Sequence, residues 1–476
     1  MNSSVGSSSD PIDIRDALSR FDKEAISTFR RQKERPDLSR LPGGEGLPVL
    51  GHAHHITFRI HDWLDEQYAK HGPVFRARAA DRRIVFVLGV EANQLILQNE
   101  DKNFSNFLAY GPNIEKLLDD NVLSLDFGHH KKTRKTLQAA FRRQAVEGHI
   151  ALMNPFIRTA LEDWPIDRTV KSTPLLRKVL LDTGAKVFLG LDMGPDADTM
   201  NQAFIDLVNA GAAILRFEAI PFSPYNKALR ARQTMNRFVR ANIAARRNSA
   251  EEGQDIFSQL CRARDDDGQY FSDEEICNQI IFILFAAHDT TSSALSSIFY
   301  HLASDPQWQD TLRDEMFAVG KDHLEFDDYE QLVQTGWTMQ EALRMYPPAP
   351  MIPRYALKEF EFAGHNIPAN TSLMGFAPFT HYLPEYWTEP RRFDPHRFSP
   401  ERAEDKKEFW QYVPFGGGAH KCLGLHFAQV QGKTFLFHFL RRYRINKNPK
   451  MTRYKYNNFP LTFPRDGLPL SFTRVT

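Results

Sequence analysis

Three consecutive glycines, Gly416 to Gly418, stand just ahead of a helical pattern that runs from Leu425 to about Arg442, with Cys422 between them in the stretch FGGGAHKCLG. Glycine lacks a Cβ and takes backbone angles and close approaches that other residues refuse, so the stretch reads as a tight loop against which something flat or bulky can lie. Cys422 then sits at a helix entrance, where free backbone N–H groups and the positive end of the helix dipole favour a thiolate over a thiol. A thiolate is the form that binds a metal. The plain alternative is a packing cysteine in a glycine-rich loop. A zinc site built from His420, Cys422 and His426 is another, although a second pair of ligands is lacking.

The rest of the chain sets the frame for that loop. At 476 residues it exceeds the size at which a single core usually stops growing. A formal net charge of +1 argues against a dedicated nucleic-acid binder, and three widely spaced cysteines form no disulfide framework, which suits a reducing, cytoplasmic setting. The densest apolar run, Ile280 to Ala287, is too short to cross a bilayer, and no signal peptide or membrane anchor is visible at the N-terminus. The first ten residues read as a mobile polar tail, residues 1–40 as a flexible lead-in, and ordered structure is expected from the Pro/Gly stretch at Leu41.

Helical periodicity is clear near His61 to His71, Ala151 to Leu161, Lys178 to Leu189, Ala203 to Leu215, Ala228 to Ala245, Glu274 to Leu302, Trp308 to Phe317 and Gln331 to Met345. Strand-like segments gather at about 72–90 and 354–375, and a hairpin turning at Asp466-Gly467 is expected over 459–472. The pattern predicts a mainly α protein with a smaller β-rich portion, an α+β class.

Inside the helix Glu274 to Leu302 lies FAAHDTTSS, where Asp289 precedes Thr290 and Thr291. Hydroxyls compete for backbone carbonyls and are poor mid-helix residues, so the cluster wants an explanation. At about 100° per residue, Ile283, Ala286, Ala287, Ser293 and Ala294 share the face of Thr290, which is small or apolar enough to admit a diatomic ligand beside a cofactor. His288 points away from that face and reads as structural. Elsewhere, Glu341 and Arg344 share a helix face before Pro347-Pro348, and the basic run Lys131, Lys132, Lys135, Arg142 and Arg143 is either a solvated face or a docking patch for an acidic protein.

These segments resemble the cytochrome P-450 monooxygenases. Phe415, Gly418, His420, Cys422 and Gly424 fill the haem-binding pattern of that family, and the other motifs stand in its order across nearly the whole chain. The resemblance implies the cytochrome P-450 fold as one haem-thiolate monooxygenase domain over 41–476, and haem b (iron protoporphyrin IX) as cofactor. Cys422 becomes the axial iron ligand, Phe415 shields its sulfur, and Gly416 and Gly424 belong to the loop around it. His130, Arg134, Arg354 and His420 become the propionate partners. Ala286 to Thr291 matches the distal helix, with Ala287 in place of the usual Gly, and Asp289 and Thr290 become the proton relay. Glu341, Arg344 and Arg397 become a structural triad behind the haem.

A thiolate-ligated haem favours O–O cleavage, which points to insertion of oxygen from O2 into a C–H bond. No dinucleotide fingerprint is present, so electrons are expected from a separate ferredoxin or flavodoxin with its NAD(P)H reductase. Expected pocket walls are Phe104 to Leu118, Ile214 to Tyr225, Ala349 to Ile352 and Phe459-Pro460, largely aromatic and aliphatic. The wording of Ile220 to Arg232 is closer to the sterol- and retinoid-metabolising branches, so a steroid, terpenoid or long-chain lipid is the expected substrate of a monomeric enzyme. The competing functions are a peroxide-driven fatty-acid hydroxylase and a non-catalytic haem-thiolate binder or sensor.

Overall fold

The computed structural model describes residues 12–475 except 142, 193–194, 212–222, 250–252, 254, 266–267 and 460. Helices dominate, and the longest, Asp273–Ser304, runs through the largest apolar core. Its start is set chemically: Ser272 and Glu275 form a reciprocal capping box, and Asp273, Glu274 and Glu275 place negative charge at the positive end of the dipole. Of its 32 residues 22 are buried, because helices Ser172–Leu189, Pro224–Asn248, Val333–Met345 and Leu425–Leu440 pack around it. A helix apolar on every side belongs at the centre of a large domain.

The β-rich portion lies apart from that core. Strands Val74–Ala79 and Arg82–Val87 form a hairpin, which continues through Ser372–Phe376 and Met351–Ala356 to the short strand Phe104–Ser105. The helices and strands therefore segregate as predicted, and the fold class stands.

Two expectations are corrected. Residues 12–40 are not a flexible lead-in. Asp13 and Asp22 accept hydrogen bonds from the first turns of helices Ile14–Arg20 and Lys23–Gln32, and Ile14, Leu18 and Ile26 pack with Phe107, Leu108 and Tyr355. A few well-placed apolar residues outweigh a polar average, because burying each contributes about 1.5–3 kcal/mol. The tail 1–11 lies outside the described residues. The turn at Asp466-Gly467 is present, but its arms do not pair with each other. Phe463–Pro464 pairs with Tyr456–Asn457, whereas Pro469–Arg474 joins Val170–Lys171 and Tyr443–Lys447. Strand pairing follows whichever edges tertiary packing presents.

Candidate active site

The cysteine loop is closed by its own backbone: the Cys422 N–H donates to the Phe415 carbonyl at 2.9 Å. Gly416 and Gly418 take φ values of 66° and 60°, in the left-handed region. The glycines answer to protein neighbours as well as to any ligand. A Cβ at Gly418 would stand 2.1 Å from the Leu97 carbonyl oxygen, and one at Gly417 would stand 2.4 Å from the Trp410 ring. Around Gly424 a Cβ would meet nothing within 4 Å, so that side of the loop is open.

Cys422 keeps accessible surface, yet burial pushes its thiol up from the ordinary value, only partly offset by the Gly424 N–H and the Arg134 charge. A side chain both accessible and desolvated lines an interior hollow rather than the outer surface. Burial thus opposes the thiolate that the helix entrance favours. Coordination to a cation is what removes the proton from such a thiol. No group of three or more His, Cys, Asp or Glu among the described residues is placed to hold a metal ion, which leaves the zinc alternative without a ligand set.

Beside the loop four nitrogen-rich side chains converge. The His130 and His420 rings stack with centroids 3.8 Å apart. Burial first, then neighbouring cations, lowers His130 to about 4 and His420 well below the usual imidazole range, so both rings are neutral. Arg134 lies within reach of Cys422, and Arg354, 5% exposed, adds its charge to that felt by His420. His130 Nε2 and His420 Nδ1 have no hydrogen-bond partner. Buried ring nitrogens without partners, each able to donate in the tautomer that carries its proton there, and flanked by two arginines, are a site for an anion. Haem carries two carboxylates beside its iron, and this set, adjoining a single accessible sulfur, fits it.

The middle of the long helix shows a face of its own. Between flanking turns that are buried, Ala286, Ala287, Thr290 and Ala294 retain accessible surface, the spacing of one helical face bordering a hollow, while Phe285, also partly accessible, lies on another side of the helix. Thr290 Oγ1 donates to the Ala286 carbonyl at 2.8 Å and Thr291 Oγ1 to the Ala287 carbonyl at 3.1 Å. Asp289 is 3% exposed and turned to a neighbour that sequence reading missed: Arg177 Nη2 donates to Asp289 Oδ2 at 3.3 Å. His288 Nε2 lies 2.9 Å from the Arg177 carbonyl and its ring meets Phe204 edge-on, which places it among neighbouring helices as anticipated. An arginine inside the apolar run LLRKVLL was the available signal for Arg177.

Glu341, Arg344 and Arg397 meet with no side-chain exposure. Arg344 grips Glu341 with two bonds of 2.7 and 2.8 Å, and Arg397 Nε donates to the same carboxylate at 3.3 Å. A second carboxylate, Glu404, accepts from Arg397 at 3.0 Å and balances the charge. Nothing in the spacing of Glu404 announced it. Asp126 was also missed: it binds the Ser105 hydroxyl and the Asn106 and Phe107 N–H groups, adds its charge to that around Arg354, and is pushed up to about 6 by burial.

Residues adjoining two of the expected walls meet the distal helix. Ser293 donates to the Thr462 carbonyl, and the Thr462 N–H and hydroxyl donate to Pro348 and Pro347, so the distal helix, the segment before Ala349 and Thr462 converge. Of the expected wall 214–225, residues 214–222 lie outside the described residues, as do Pro460 and Arg142. No helix among the described residues is long and apolar enough to cross a membrane.

A mainly helical fold whose deep cysteine loop adjoins an anion-seeking cluster defines a haem-thiolate protein. The family model for cytochrome P-450 matches residues 41–471, and the chain belongs to that family. It is therefore a haem-dependent monooxygenase that acts with O2, a redox partner and a lipophilic substrate. A cytochrome P-450 136 of Mycobacterium tuberculosis is 34% identical over 440 residues, 91% of this chain and 88% of that one. The β-amyrin 6-β-monooxygenase of Solanum lycopersicum is 27% identical over 448 residues, 91% and 92% of the two chains. A retinoic acid-bound cyanobacterial CYP120A1 superimposes with a TM-score of 0.82 at 26% identity, covering 91% of this chain and 99% of that one.

Proposed function

We propose that the chain holds haem b through Cys422 Sγ and hydroxylates an isoprenoid-derived lipophile, with electrons from a separate ferredoxin or flavodoxin and its NAD(P)H reductase. The observation that carries the cofactor reading is the pair of unpartnered nitrogens on His130 and His420 beside an accessible, desolvated cysteine. When bound, the haem supplies O2 activation, with thiolate ligation favouring O–O cleavage. His130, Arg134, Arg354 and His420 hold its carboxylates, and Phe415, Gly416, Gly418 and Gly424 shape the loop that presents the sulfur. Glu341, Arg344 and Arg397 hold the segments behind it.

On the opposite wall, Ala286 and Ala287 leave room for small ligands, the second methyl narrowing that space. The Thr290 hydroxyl, now given to the Ala286 carbonyl, is free to turn toward the hollow and hold a proton there. Asp289, held by Arg177 on the other flank of the helix, relays protons toward that hydroxyl, taking each one up before passing it on. The substrate class is supported by the apolar walls and by two relatives whose names carry a triterpenoid and a retinoid. Lys131, Lys132 and Lys135 on the helix Phe127–Leu137 are the basic face offered to the redox partner, with Lys132 also bound to Asp265 and Arg143 drawn to Glu147 and Asp327. Residues 41–476 act as one domain in this reading.

The reduced, carbon-monoxide-bound spectrum tests the ligand: a Soret band without the thiolate-specific red shift refutes Cys422. Turnover of triterpenoid, retinoid, steroid and fatty-acid panels then tests the substrate. Product formed with peroxide alone, and none with O2 and reductant, would point to a peroxygenase instead.

A further inference from the structure

The helices Ile14–Arg20 and Lys23–Gln32 precede the family-matched stretch 41–471, and yet they pack on three elements of the candidate site. Ile14, Leu18 and Ile26 share one apolar cluster with Phe107 and Leu108 of the expected wall and with Tyr355, next to Arg354. Between the two helices the chain turns at Phe21, whose φ of 57° is left-handed. Glycine or asparagine is usual at such a helix end, because a Cβ is strained there. What the phenylalanine adds is its ring. It meets Phe107 edge-on at 5.2 Å and stacks on His129 at 5.1 Å, with 4° between the planes. Phe107 opens the helix Phe107–Ile114, and His129 adjoins His130 on the helix Phe127–Leu137. One side chain therefore joins the wall to the helix that carries His130 and Arg134.

Polar contacts fasten the same junction. Arg30 Nη1 binds Glu115 Oε2 at 2.7 Å, and its guanidinium lies over the Phe107 ring, 4.8 Å from the centroid. Lys23 Nζ binds Asp119 Oδ2 at 2.7 Å. His129 Nε2 lies 3.1 Å from Asp120 Oδ1, so the far end of the wall is tied to the same helix. Two glycines make room for the helix pair. A Cβ at Gly111 would stand 2.5 Å from Arg30 Nη2, and one at Gly128 would stand 2.5 Å from Ser19 Oγ, which accepts from the Gly128 N–H at 3.1 Å. Partly exposed ion pairs contribute little singly, but a close fit shaped from both sides fixes one arrangement.

We propose that residues 12–33 are a clasp that sets how far the wall 107–119 opens to admit substrate, with Phe21 as its positioning residue. The inference rests on the reading of 104–118 as a wall of the substrate pocket. A bulky lipophile enters by displacing the wall helix, which breaks the Phe21–Phe107 and Arg30–Glu115 contacts, whereas a diatomic ligand needs no such opening.

The test follows two iron-binding probes of different size, cyanide and econazole, by stopped-flow absorbance on the full haem-loaded chain. Phe21→Ala should speed econazole association by about tenfold, the weight of an aromatic contact, and leave cyanide association within about twofold of wild type. Arg30→Met should act in the same direction, which keeps the test valid if the Phe21 variant misfolds. Gly111→Ala drives a Cβ against Arg30 from the wall side and should reproduce that effect, and Arg30→Met with Gly111→Ala should exceed neither single variant, because both break one contact. Amide hydrogen exchange in the haem-free chain should quicken over 107–119 in each variant. A wild type without the thiolate-type carbon monoxide spectrum would refute the cofactor reading, while the exchange data would still decide the clasp. Econazole rates that stay at the wild-type value overturn the proposal. So does a lowered urea midpoint with unchanged exchange over 107–119, since the helices would then serve stability alone, and so does equal acceleration of both probes, since the haem seat rather than the wall would then have loosened.

Discussion

The ring of His130 lies 3.8 Å from the ring of His420, and each carries a nitrogen with nothing to bind. One residue comes from the helix Phe127–Leu137, the other from the cysteine loop, so the contact exists only in the folded chain. A ligand carboxylate at this point would satisfy both rings.

Replacing either ring therefore weakens cofactor retention more than folding. His130→Leu or His420→Leu should speed haem transfer to an apoglobin acceptor by about tenfold, the effect of losing one hydrogen bond to a charged group. Urea midpoints of the haem-free protein should not fall, because each variant removes a buried, unsatisfied nitrogen.

Two loop glycines should behave in opposite ways. Gly418→Ala forces a Cβ against the Leu97 carbonyl at a positive φ, so the loop cannot close, and the thiolate-type carbon monoxide spectrum should be lost. Gly424→Ala meets open space at a negative φ and should leave the urea midpoint unchanged. Any effect it has should appear on haem addition, which identifies what occupies that space.

Two arginines near Glu404 separate buried from exposed charge. Arg397→Met leaves Glu341 and Glu404 short of a partner in a fully buried network, and should cost about 3–5 kcal/mol in urea denaturation. Arg402→Met, at a side chain 33% exposed, should cost about 1 kcal/mol or less.

Proton supply should depend on the Arg177–Asp289 pair. Asp289→Asn removes the acid and should lower product formation by about 100-fold, the usual scale of general acid catalysis, with haem content unchanged. Thr290→Ala should let reductant consumption continue while product per electron falls. It also frees the Ala286 carbonyl, so its circular dichroism should show the helix intact. Equal product yield in wild type and Thr290→Ala would remove Thr290 from the mechanism.

Stability should fall as pH drops below neutrality. Burial lowers His149 to about 4, and His301, His381 and His438 to about 3. Their folded values lie below the unfolded value of about 6.5, so between those limits the unfolded chain binds more protons and each site contributes a slope of up to about 1.4 kcal/mol per pH unit. Asp126, raised to about 6, and Asp65 and Asp405, also raised, work in the opposite sense, but the lowered histidines, His61 and His130 among them, outnumber them. Urea midpoints of the haem-free protein should therefore decline from pH 7 to pH 5. His149→Phe should flatten the decline, since that ring is fully buried with both nitrogens unpartnered.

What could be read from the chain was local. Helical spacing named the central helix, the shared face of Glu341 and Arg344, and the direction of His288, because about 3.6 residues per turn fixes which side chains are neighbours. The glycine loop and Cys422 were legible for the same reason, since backbone freedom and a helix entrance are properties of a few consecutive residues. Averaged polarity misled at residues 12–40, where a handful of apolar positions decides whether a short helix docks.

Contacts across the chain were decided by tertiary structure alone. Arg177 meets Asp289, Glu404 completes the arginine pair, Asp126 joins the surroundings of Arg354, and the strand Pro469–Arg474 abandons its hairpin for other edges. The Cys422 thiol, favoured as a thiolate by its position in the chain, is driven the other way by the protein that surrounds it. Periodicity states which face an element will bury, whereas packing decides which distant groups it is buried against, and the chemistry of a site belongs to those pairings.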